Sequence, residues 1–249
     1  MKERIIGSEV ISLLSTTSTN DYAREMLSED TPREGSVVIA GEQKKGRGYS
    51  TNTWHSRRGK NLLFTVILYP DFLAANHQFL ISKTISLGIY DYLSDYISDV
   101  SIKWPNDIYV EDRKIAGMLI ENDLMGSFLK TSIIGVGLNI NQEKFPGHLI
   151  NPVSLRQMIE KKVPLKKEFR KLCAYLDRRY QMLCQGKSDK INREYHEHLF
   201  RLNTMSTYLA DGREFRGKIV GVSDYGQLIL ENDAGKTLEF NFKEVEFIL

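Results

Sequence analysis

Cysteine is scarce in this sequence. Only two occur in 249 residues, Cys173 and Cys184, and both fall in a segment whose pattern predicts one helix, where they would lie too far apart along the axis to form a disulfide. This scarcity excludes a small secreted scaffold stabilised by disulfides. We expect both cysteines to be reduced residues of the core, in a reducing compartment.

The sequence also lacks a large charge excess and a long apolar run. Lysine and arginine together number 34 against 32 aspartate and glutamate residues, which leaves a net charge of +2 and argues against a general nucleic-acid binder. The apolar stretch near the start is short and interrupted by Glu9, so it fits neither a signal peptide nor a membrane span. We therefore expect a cytoplasmic protein with no nucleic-acid partner and no membrane contact.

Two common nucleotide-binding motifs are absent as well. The basic, glycine-rich segment GEQKKGRG at 41–48 lacks both the Gly-Lys-Ser/Thr ending of a P-loop and the third glycine of a dinucleotide-binding fingerprint. What remains is Arg47 between Gly46 and Gly48. These glycines allow the backbone to pass close to a ligand, and the guanidinium can bind a carboxylate or a phosphate. Taken alone, the segment could also be an exposed turn.

The pattern of apolar residues predicts alternating strands and helices at the start of the chain. Segments 5–14 and 35–41 are rich in β-branched residues and predict strands. The segment between them predicts a helix that begins near Ser18 or Asn20. A buried strand is predicted over 61–69.

A long helix is predicted over 78–97, and beyond it the period of the apolar residues changes to two. The alternation from 101 to 140 predicts a run of antiparallel strands, and 165–200 is again helical. The remaining residues form short alternating segments separated by Asp-Gly, Tyr-Gly and Ala-Gly turns, which is typical of a small β-barrel. We predict one domain over 1–203 and a second, barrel-like domain over 204–249.

A second segment, KWPNDIYVEDRKIAG at 103–117, places chemically useful side chains on one predicted hairpin. A tight turn presents Asn106 and Asp107, and the chain returns with Lys114 before a small Ala-Gly pair that leaves room for a ligand. By itself, this hairpin could be a solvated one with a surface ion pair. A third segment, GVGLNIN at 135–141, ends a strand with two glycines and two asparagines, whose amides could point into a cleft, but alone it is a weak signal.

In order and spacing, these segments together resemble the biotin protein ligase family. The matching stretches are STN at 18–20, EQKKGRG at 42–48 with Trp54 behind it, KWPNDIYVEDRKIAG at 103–117, GVGLNIN at 135–141, and KEV at 243–245, which is similar to the family's Gly-Glu-Val. The block from KWPND to K-x-A-G is the most diagnostic part. Only about seventeen residues precede STN, so we expect the monofunctional type, without a DNA-binding helix-turn-helix domain.

The resemblance implies both a fold and an activity. The fold is α/β, with a mixed, largely antiparallel sheet flanked by helices, like that of class II aminoacyl-tRNA synthetases, followed by an SH3-like β-barrel. The activity is ATP-dependent activation of biotin to biotinyl-5′-AMP, with release of pyrophosphate, followed by transfer of biotin to a lysine of the biotin carboxyl carrier domain of a biotin-dependent carboxylase. Mg²⁺ is expected to accompany ATP, held mainly by its phosphates. A homodimer is one of the assemblies that the resemblance allows.

The resemblance also implies which residues form the site. Biotin contacts are expected from Ser18, Thr19, Asn20, Gln43, Gly46, Arg47, Gly48, Tyr49, Lys114 and Gly117. ATP contacts are expected from Arg47, Trp54, Asn106, Lys114 and Asn139. The expected catalytic residues are Arg47, Asp107 and Lys114.

Each implied role has a chemical reason. Joining a carboxylate to a phosphate sets anion against anion, so Arg47 is expected to bridge the two and Lys114 to neutralise charge at the α-phosphate. The acceptor lysine arrives protonated, and Asp107 is the candidate to orient it and remove its proton. Ser18, Thr19 and Gln43 have the hydrogen-bond types that a ureido group needs.

Some assignments stay open. Asn20 either contacts biotin or caps the following helix, and Trp54 and Trp104 are either apolar walls of the site or residues of the core. At one position the chain departs from the repressor members of the family, which carry Gly-Arg-Gly-Arg, because Tyr49 replaces the second arginine. We expect Tyr49 to pack over the ligand without that charge and the adenylate to be released more readily.

Two rival functions can be weighed against a biotin ligase. A lipoate ligase shares the catalytic fold and the adenylate chemistry, but Gln43 and the Gly-Arg-Gly loop favour biotin because lipoate has no ureido group. A non-catalytic biotin or nucleotide sensor is disfavoured by the intact Arg47, Asp107 and Lys114.

Overall fold

A seven-stranded sheet organises the larger part of the computed structural model, which describes residues 4–49 and 52–248. Its strands, in chain order, are β1 (Val10–Leu13), β2 (Val37–Ala40), β3 (Leu62–Leu68), β4 (Val100–Lys103), β5 (Asp107–Val110), β6 (Arg113–Met125) and β7 (Phe128–Leu138). In space their order is β1-β2-β3-β7-β6-β5-β4. Only the β1–β2 pair of this sheet is parallel. The expected mixed, largely antiparallel sheet is confirmed.

The α-helices in the described part of the chain are α1 (Thr19–Glu29), α2 (Phe79–Ser94), α3 (Leu155–Ile159), α4 (Leu165–Cys184) and α5 (Ser188–Glu197). Helices α1 and α2 pack against this sheet, and α4 and α5 pack on α2. Helix α1 packs on β2, β3 and β7, whereas α2 packs on β4 and β5. Across residues 4–49 and 52–248, none of the helices combines the length and the apolarity needed to cross a lipid bilayer.

Apolar cores cover both faces of the sheet. Val37 and Val66 belong to the large core that contains α2 and α4, whereas their neighbours Val38 and Ile67 pack with Ala23 of α1. Successive side chains of a strand point to opposite faces, so a strand covered on both faces has a continuous apolar sequence. This is why β3 has the sequence LLFTVIL, without alternation.

The helical segment predicted over 165–200 is divided into two helices. Helix α4 ends at Cys184 and α5 begins at Ser188, and Gly186 between them has a φ of 70°, in the left-handed region that favours glycine. Cys173 is buried and free, as expected, but Cys184 is free and exposed. The prediction that both are core residues is wrong for Cys184, because α4 leaves the core at its last residue.

A five-stranded antiparallel sheet follows. Its strands are β8 (Ser206–Ala210), β9 (Arg213–Val222), β10 (Leu228–Asn232), β11 (Thr237–Phe240) and β12 (Glu246–Phe247), in the spatial order β11-β10-β9-β8-β12. Asp211 and Gly212 join β8 to β9, both with positive φ, as the preferred two-residue hairpin turn requires. The expected antiparallel C-terminal module is confirmed, while its closure into a barrel and the boundary at residue 203 stay predictions.

Candidate active site

A cavity of about 760 Å³ lies where the first sheet meets the C-terminal module. Its wall comprises the start of α1, the glycine loop, strands β5 to β7, and the chain from residue 242 through β12. The glycine loop is residues 43–54, of which 50 and 51 lie outside the described residues. The structure brings most of the sequence-predicted site residues to this wall, namely Ser18, Thr19, Asn20, Gln43, Arg47, Gly48, Tyr49, Trp54, Asn106, Asp107, Lys114 and Gly117. Gly46 and Asn139 are not part of the wall.

One end of the cavity is a polar pocket formed by Ser18, Thr19 and Gln43. The Oε1 atom of Gln43 accepts hydrogen bonds from the backbone N–H of Thr19, at 2.8 Å, and from its hydroxyl, at 3.0 Å. Ser18 is the residue before α1, and its hydroxyl makes no capping hydrogen bond to the helix. Since Gln43 uses its oxygen within the protein, its amide nitrogen and the Ser18 hydroxyl are the groups left to bind a ligand.

Asn20 supports this pocket and does not cap α1, because the helix already begins at Thr19. Its Oδ1 atom accepts a hydrogen bond of 2.7 Å from the Thr65 hydroxyl. Its Nδ2 donates to the Leu119 carbonyl at 3.2 Å and to a Glu121 oxygen at 2.8 Å. With both amide hydrogens used, Asn20 fixes α1 to β3 and β6.

The glycine loop folds back on itself, and Arg47 fastens it to the neighbouring elements. Gly48 N–H donates to Asn52 O at 2.8 Å. The Arg47 guanidinium pairs with Asp21 of α1 at 2.6 Å and with Glu121 of β6 at 2.9 Å. Burial alone would lower the pKa of Arg47, but the hydrogen bonds to these carboxylates raise it above its ordinary value. The motif could not reveal these partners, since both lie far from it in sequence.

A β-bulge places Lys114 beside Asp107. Asp107 of β5 pairs with Gly117 of β6, but Tyr109 pairs with Lys114, so Ile115 is an extra residue on β6. In an unbroken strand, positions 114 and 117 would face opposite sides of the sheet. The bulge turns Lys114 to the side of Asp107, and the Lys114 Nζ atom lies 2.6 Å from Asp107 Oδ1. The two side chains form the charged centre of the cavity.

Asn106 is held by strand β6, through Met118. Its Nδ2 donates to Met118 O at 2.6 Å, and Met118 N–H donates to Asn106 O at 2.9 Å. These reciprocal bonds fix the turn that carries Asp107, so Asn106 positions the charged centre through the backbone.

Trp54 forms a flat apolar wall over β7. A Cβ atom on Gly137 would lie 2.3 Å from Cε2 of this indole, so the ring needs a glycine below it. The Lys114 ammonium lies 5.7 Å from the ring centroid. The indole Nε1 is buried and has no hydrogen-bond partner among the described residues. A buried donor without a partner is costly, which favours a ligand acceptor at this point.

The other tryptophan, Trp104, is almost fully buried at 2% exposure. Its Nε1 donates to Gly226 O at 2.8 Å, and its ring meets Phe242 with centroids 5.2 Å apart. Trp104 therefore contributes to the cavity wall and also joins the first sheet to the C-terminal module.

Asn139 lies behind the cavity. Its Nδ2 donates to Val153 O at 3.1 Å, and Val153 N–H donates in turn to Lys114 O at 2.9 Å. Asn139 thus supports the segment that pairs with Lys114.

Several lining residues were given no site role by the sequence reasoning, although Lys103 lies in the hairpin that it singled out. Lys103 is the first residue of KWPND, and its ammonium lies 4.3 Å from the Phe247 ring centroid. Burial lowers the pKa of Lys103, although the charge of Asp107 acts in the opposite direction. Phe242 and Lys243 line the cavity from the C-terminal module. In the sequence, only the KEV stretch at 243–245 indicated that the C-terminal module contributes to the site.

Comparisons with known proteins agree with this geometry. Residues 12–139 match the model of the biotin/lipoate A/B protein ligase family, and residues 207–247 match that of the biotin protein ligase C terminal domain. The chain is 30% identical over 235 residues to the biotin--[acetyl-CoA-carboxylase] ligase of Paracoccus denitrificans. The aligned region covers 90% of this chain and 95% of that protein.

Two further similarities cover nearly the whole chain. Identity to the bifunctional ligase/repressor BirA of Bacillus subtilis is 28% over 241 residues, which is 94% of this chain and 73% of that protein. The structure of the biotin protein ligase from Aquifex aeolicus in complex with biotin and ATP is similar, with a TM-score of 0.79, 23% identity, and coverage of 97% of this chain and 99% of that chain.

Proposed function

Because the chain belongs to the biotin/lipoate A/B protein ligase family, we propose that the cavity is the active site of an ATP-dependent biotin ligase. The enzyme activates biotin to biotinyl-5′-AMP with release of pyrophosphate, and it then transfers biotin to a specific lysine of a biotin carboxyl carrier protein. The relatives that cover most of the chain carry ligase names, as expected for this activity. The roles of individual residues are part of this proposal and are argued from the geometry of the cavity.

The observation that carries this proposal is the ion pair of Lys114 and Asp107, with 2.6 Å between Nζ and Oδ1, inside a cavity that also contains neutral hydrogen-bonding groups. A ligase that joins two anions needs a cation at the reacting atoms, and transfer to a lysine needs a base. The pair supplies both groups at one place. A site for binding alone would need neither.

The polar pocket suits the ureido group of biotin. This group has one carbonyl acceptor and two N–H donors, and the pocket offers the Ser18 hydroxyl and the Gln43 amide nitrogen, while the Thr19 hydroxyl orients Gln43 by donating to its Oε1 atom. The Asn20 network and the Thr65 hydroxyl, 2.8 Å from the Thr19 hydroxyl, hold these groups in place. Gly117 lies opposite Asp107 and leaves room for the valerate chain to reach the charged centre.

In the first half-reaction, an oxygen of the biotin carboxylate attacks the α-phosphorus of ATP, and the bond from that phosphorus to pyrophosphate breaks. Lys114 stabilises the charge that develops on the α-phosphate. Arg47 exchanges its partners Asp21 and Glu121 for the ligand anions, so the glycine loop closes over the adenylate. The Trp54 indole lines the nucleotide end, with its free N–H as a donor to ATP.

In the second half-reaction, the amine of the carrier lysine attacks the acyl carbon of biotinyl-5′-AMP, and AMP leaves. Once Lys114 has turned to the phosphate, the Asp107 carboxylate is free to accept the proton of the incoming ammonium. The two members of the ion pair therefore serve successive steps.

Mg²⁺ accompanies ATP in this proposal. No group of three or more His, Cys, Asp or Glu side chains in residues 4–49 and 52–248 is placed to hold a metal ion. We propose that the ion is bound mainly by phosphate oxygens, as Mg²⁺ prefers, and that it neutralises phosphate charge when bound. We further propose a cytoplasmic location.

The decisive experiment measures pyrophosphate release from MgATP in the presence of biotin, of lipoate, and of neither. We expect biotin-dependent release that Lys114→Ala reduces by about 10²-fold or more, as for loss of a group that stabilises the transition state. The matched control is Lys130→Ala, which removes an exposed lysine on β7 and should leave the rate unchanged. Release with lipoate alone would assign the protein to the lipoate branch. No release with either acid would contradict the proposal.

A further inference from the structure

A turn of the C-terminal module contacts the glycine loop at the cavity wall. This turn, defined here as residues 241–245, is fixed by Phe242. The Phe242 ring meets the Trp104 ring at 5.2 Å and the Phe79 ring at 5.9 Å between centroids. It also meets the Tyr49 ring at 5.8 Å. Tyr49, which stands where the repressor members of the family carry their second loop arginine, thus touches the C-terminal module.

Lys243, the next residue of this turn, adopts an unusual backbone conformation. Its φ is 72°, in the left-handed region that a side chain with a Cβ atom occupies only at a cost in free energy. KEV at 243–245 resembles a Gly-Glu-Val, in which glycine would occupy this position without strain. A strained residue in a well-held turn suggests a function for its side chain.

The Lys243 side chain reaches the cavity. It lines the wall, and its ammonium lies 5.6 Å from the centroid of the Tyr49 ring. The nearest acidic neighbour in sequence, Glu244, is engaged elsewhere, because its carboxylate accepts hydrogen bonds from Asn241 N–H at 2.6 Å and Asn241 Nδ2 at 3.1 Å. In the part of the chain that the structure describes, Lys243 forms no ion pair.

We infer that Lys243 is a nucleotide-binding residue of the C-terminal module. Its ammonium supplies the positive charge that the glycine loop lacks, because Tyr49 stands where the repressor members carry a second arginine. Its ligand is the phosphate chain of ATP and then the phosphate of biotinyl-5′-AMP. This inference rests on the proposed function and deepens it. Tyr49 and Lys243 form a compensating pair, in which the aromatic ring on the loop lies 5.6 Å from the ammonium of the C-terminal module.

The test uses Lys243→Gly, because glycine removes the charge and relieves the backbone strain. We expect the melting temperature to stay the same or rise, while the Kd for MgATP in titration calorimetry rises by about tenfold, as for loss of one charge-assisted hydrogen bond. Release of biotinyl-5′-AMP should become faster. Lys243→Arg keeps the charge and should keep the wild-type Kd. Asparagine also tolerates this backbone conformation, so Lys243→Asn should behave like Lys243→Gly.

A charge swap provides the sharpest outcome. Tyr49→Arg in the Lys243→Gly background should recover MgATP affinity and slow adenylate release. Lys236→Ala, which removes an exposed lysine of the β10–β11 turn, should leave both unchanged. An unaltered Kd for Lys243→Gly, or a loss that Lys243→Arg does not rescue, would overturn the inference. Absence of biotin-dependent pyrophosphate release in the wild type would instead overturn the proposed function, and the calorimetric result would still decide the role of Lys243.

Discussion

At the scale of single residues, Asp107 is the side chain whose role separates the two half-reactions. Its carboxylate is bound to Lys114, and in transfer it accepts the proton of the carrier lysine. We expect Asp107→Asn to slow transfer from preformed biotinyl-5′-AMP by on the order of 10²- to 10⁴-fold, with a smaller effect on pyrophosphate release. Single-turnover transfer, measured separately from adenylation, checks this.

The pH dependence of that variant gives a second criterion. Without a base on the enzyme, transfer depends on the fraction of the carrier lysine that is neutral, so the rate should rise with pH towards about 10.4, the ordinary pKa of lysine. Asp112→Asn is the matched control, because Asp112 is an exposed aspartate in the turn between β5 and β6. Equal transfer rates for Asp107→Asn and wild type at neutral pH would rule out the role of base.

Single residues are also where the sequence was most informative. Thr19, Gln43, Asp107 and Lys114 lie in segments whose side-chain chemistry can be recognised before any fold is known, and all four line the cavity. The partners of Arg47 could not be predicted, because Asp21 and Glu121 approach it only through tertiary packing.

At the scale of elements, β6 and β7 shape the cavity through features that a strand pattern does not show. The alternation in the sequence predicted the two strands, but it could not predict that Ile115 is a bulge. That bulge decides on which side of the sheet Lys114 lies. Similarly, GVGLNIN gave only a weak signal that its amides could point into a cleft, and only the fold shows that Gly137 lies under Trp54.

Strand β7 supports a direct test of this packing. A methyl group on Gly137 would lie 2.3 Å from Cε2 of Trp54, so Gly137→Ala must displace the indole from the wall. A clash of this kind costs about 1–3 kcal/mol, and we expect the KM for ATP to rise by about tenfold or more. Steady-state kinetics with ATP varied at saturating biotin measures this.

Two further variants make the Gly137 test specific. Gly147→Ala is the control, because a Cβ atom there meets nothing within 4 Å, and it should leave the KM unchanged. If the loss acts through the indole, Gly137→Ala should add little to a Trp54→Ala variant, since the two changes then share one cause. Additive losses would show that Gly137 acts by another route.

At the scale of the whole molecule, a buried lysine lies where the helices meet the C-terminal module. Lys83 of α2 is 3% exposed, and its ammonium donates to Asn192 Oδ1 at 2.9 Å. The rings of Phe79 and Tyr195 lie 5.6 Å from it. Burial lowers the pKa of Lys83, and the charge of Asp224 in the turn between β9 and β10 only partly offsets this.

The lowered pKa makes the stability of the whole chain depend on pH. Between the folded pKa of Lys83 and about 10.4, the unfolded chain binds more protons, so the free energy of unfolding rises with pH. Each unit of pKa difference corresponds to about 1.4 kcal/mol. Lys83→Met removes this titration, so its stability relative to wild type should be highest at pH 7 and should decrease towards pH 10. Urea unfolding from pH 7 to 10 measures the difference, with Lys130→Met as an exposed control whose difference stays constant. A constant difference for Lys83→Met as well would show that Lys83 keeps an ordinary pKa in the fold.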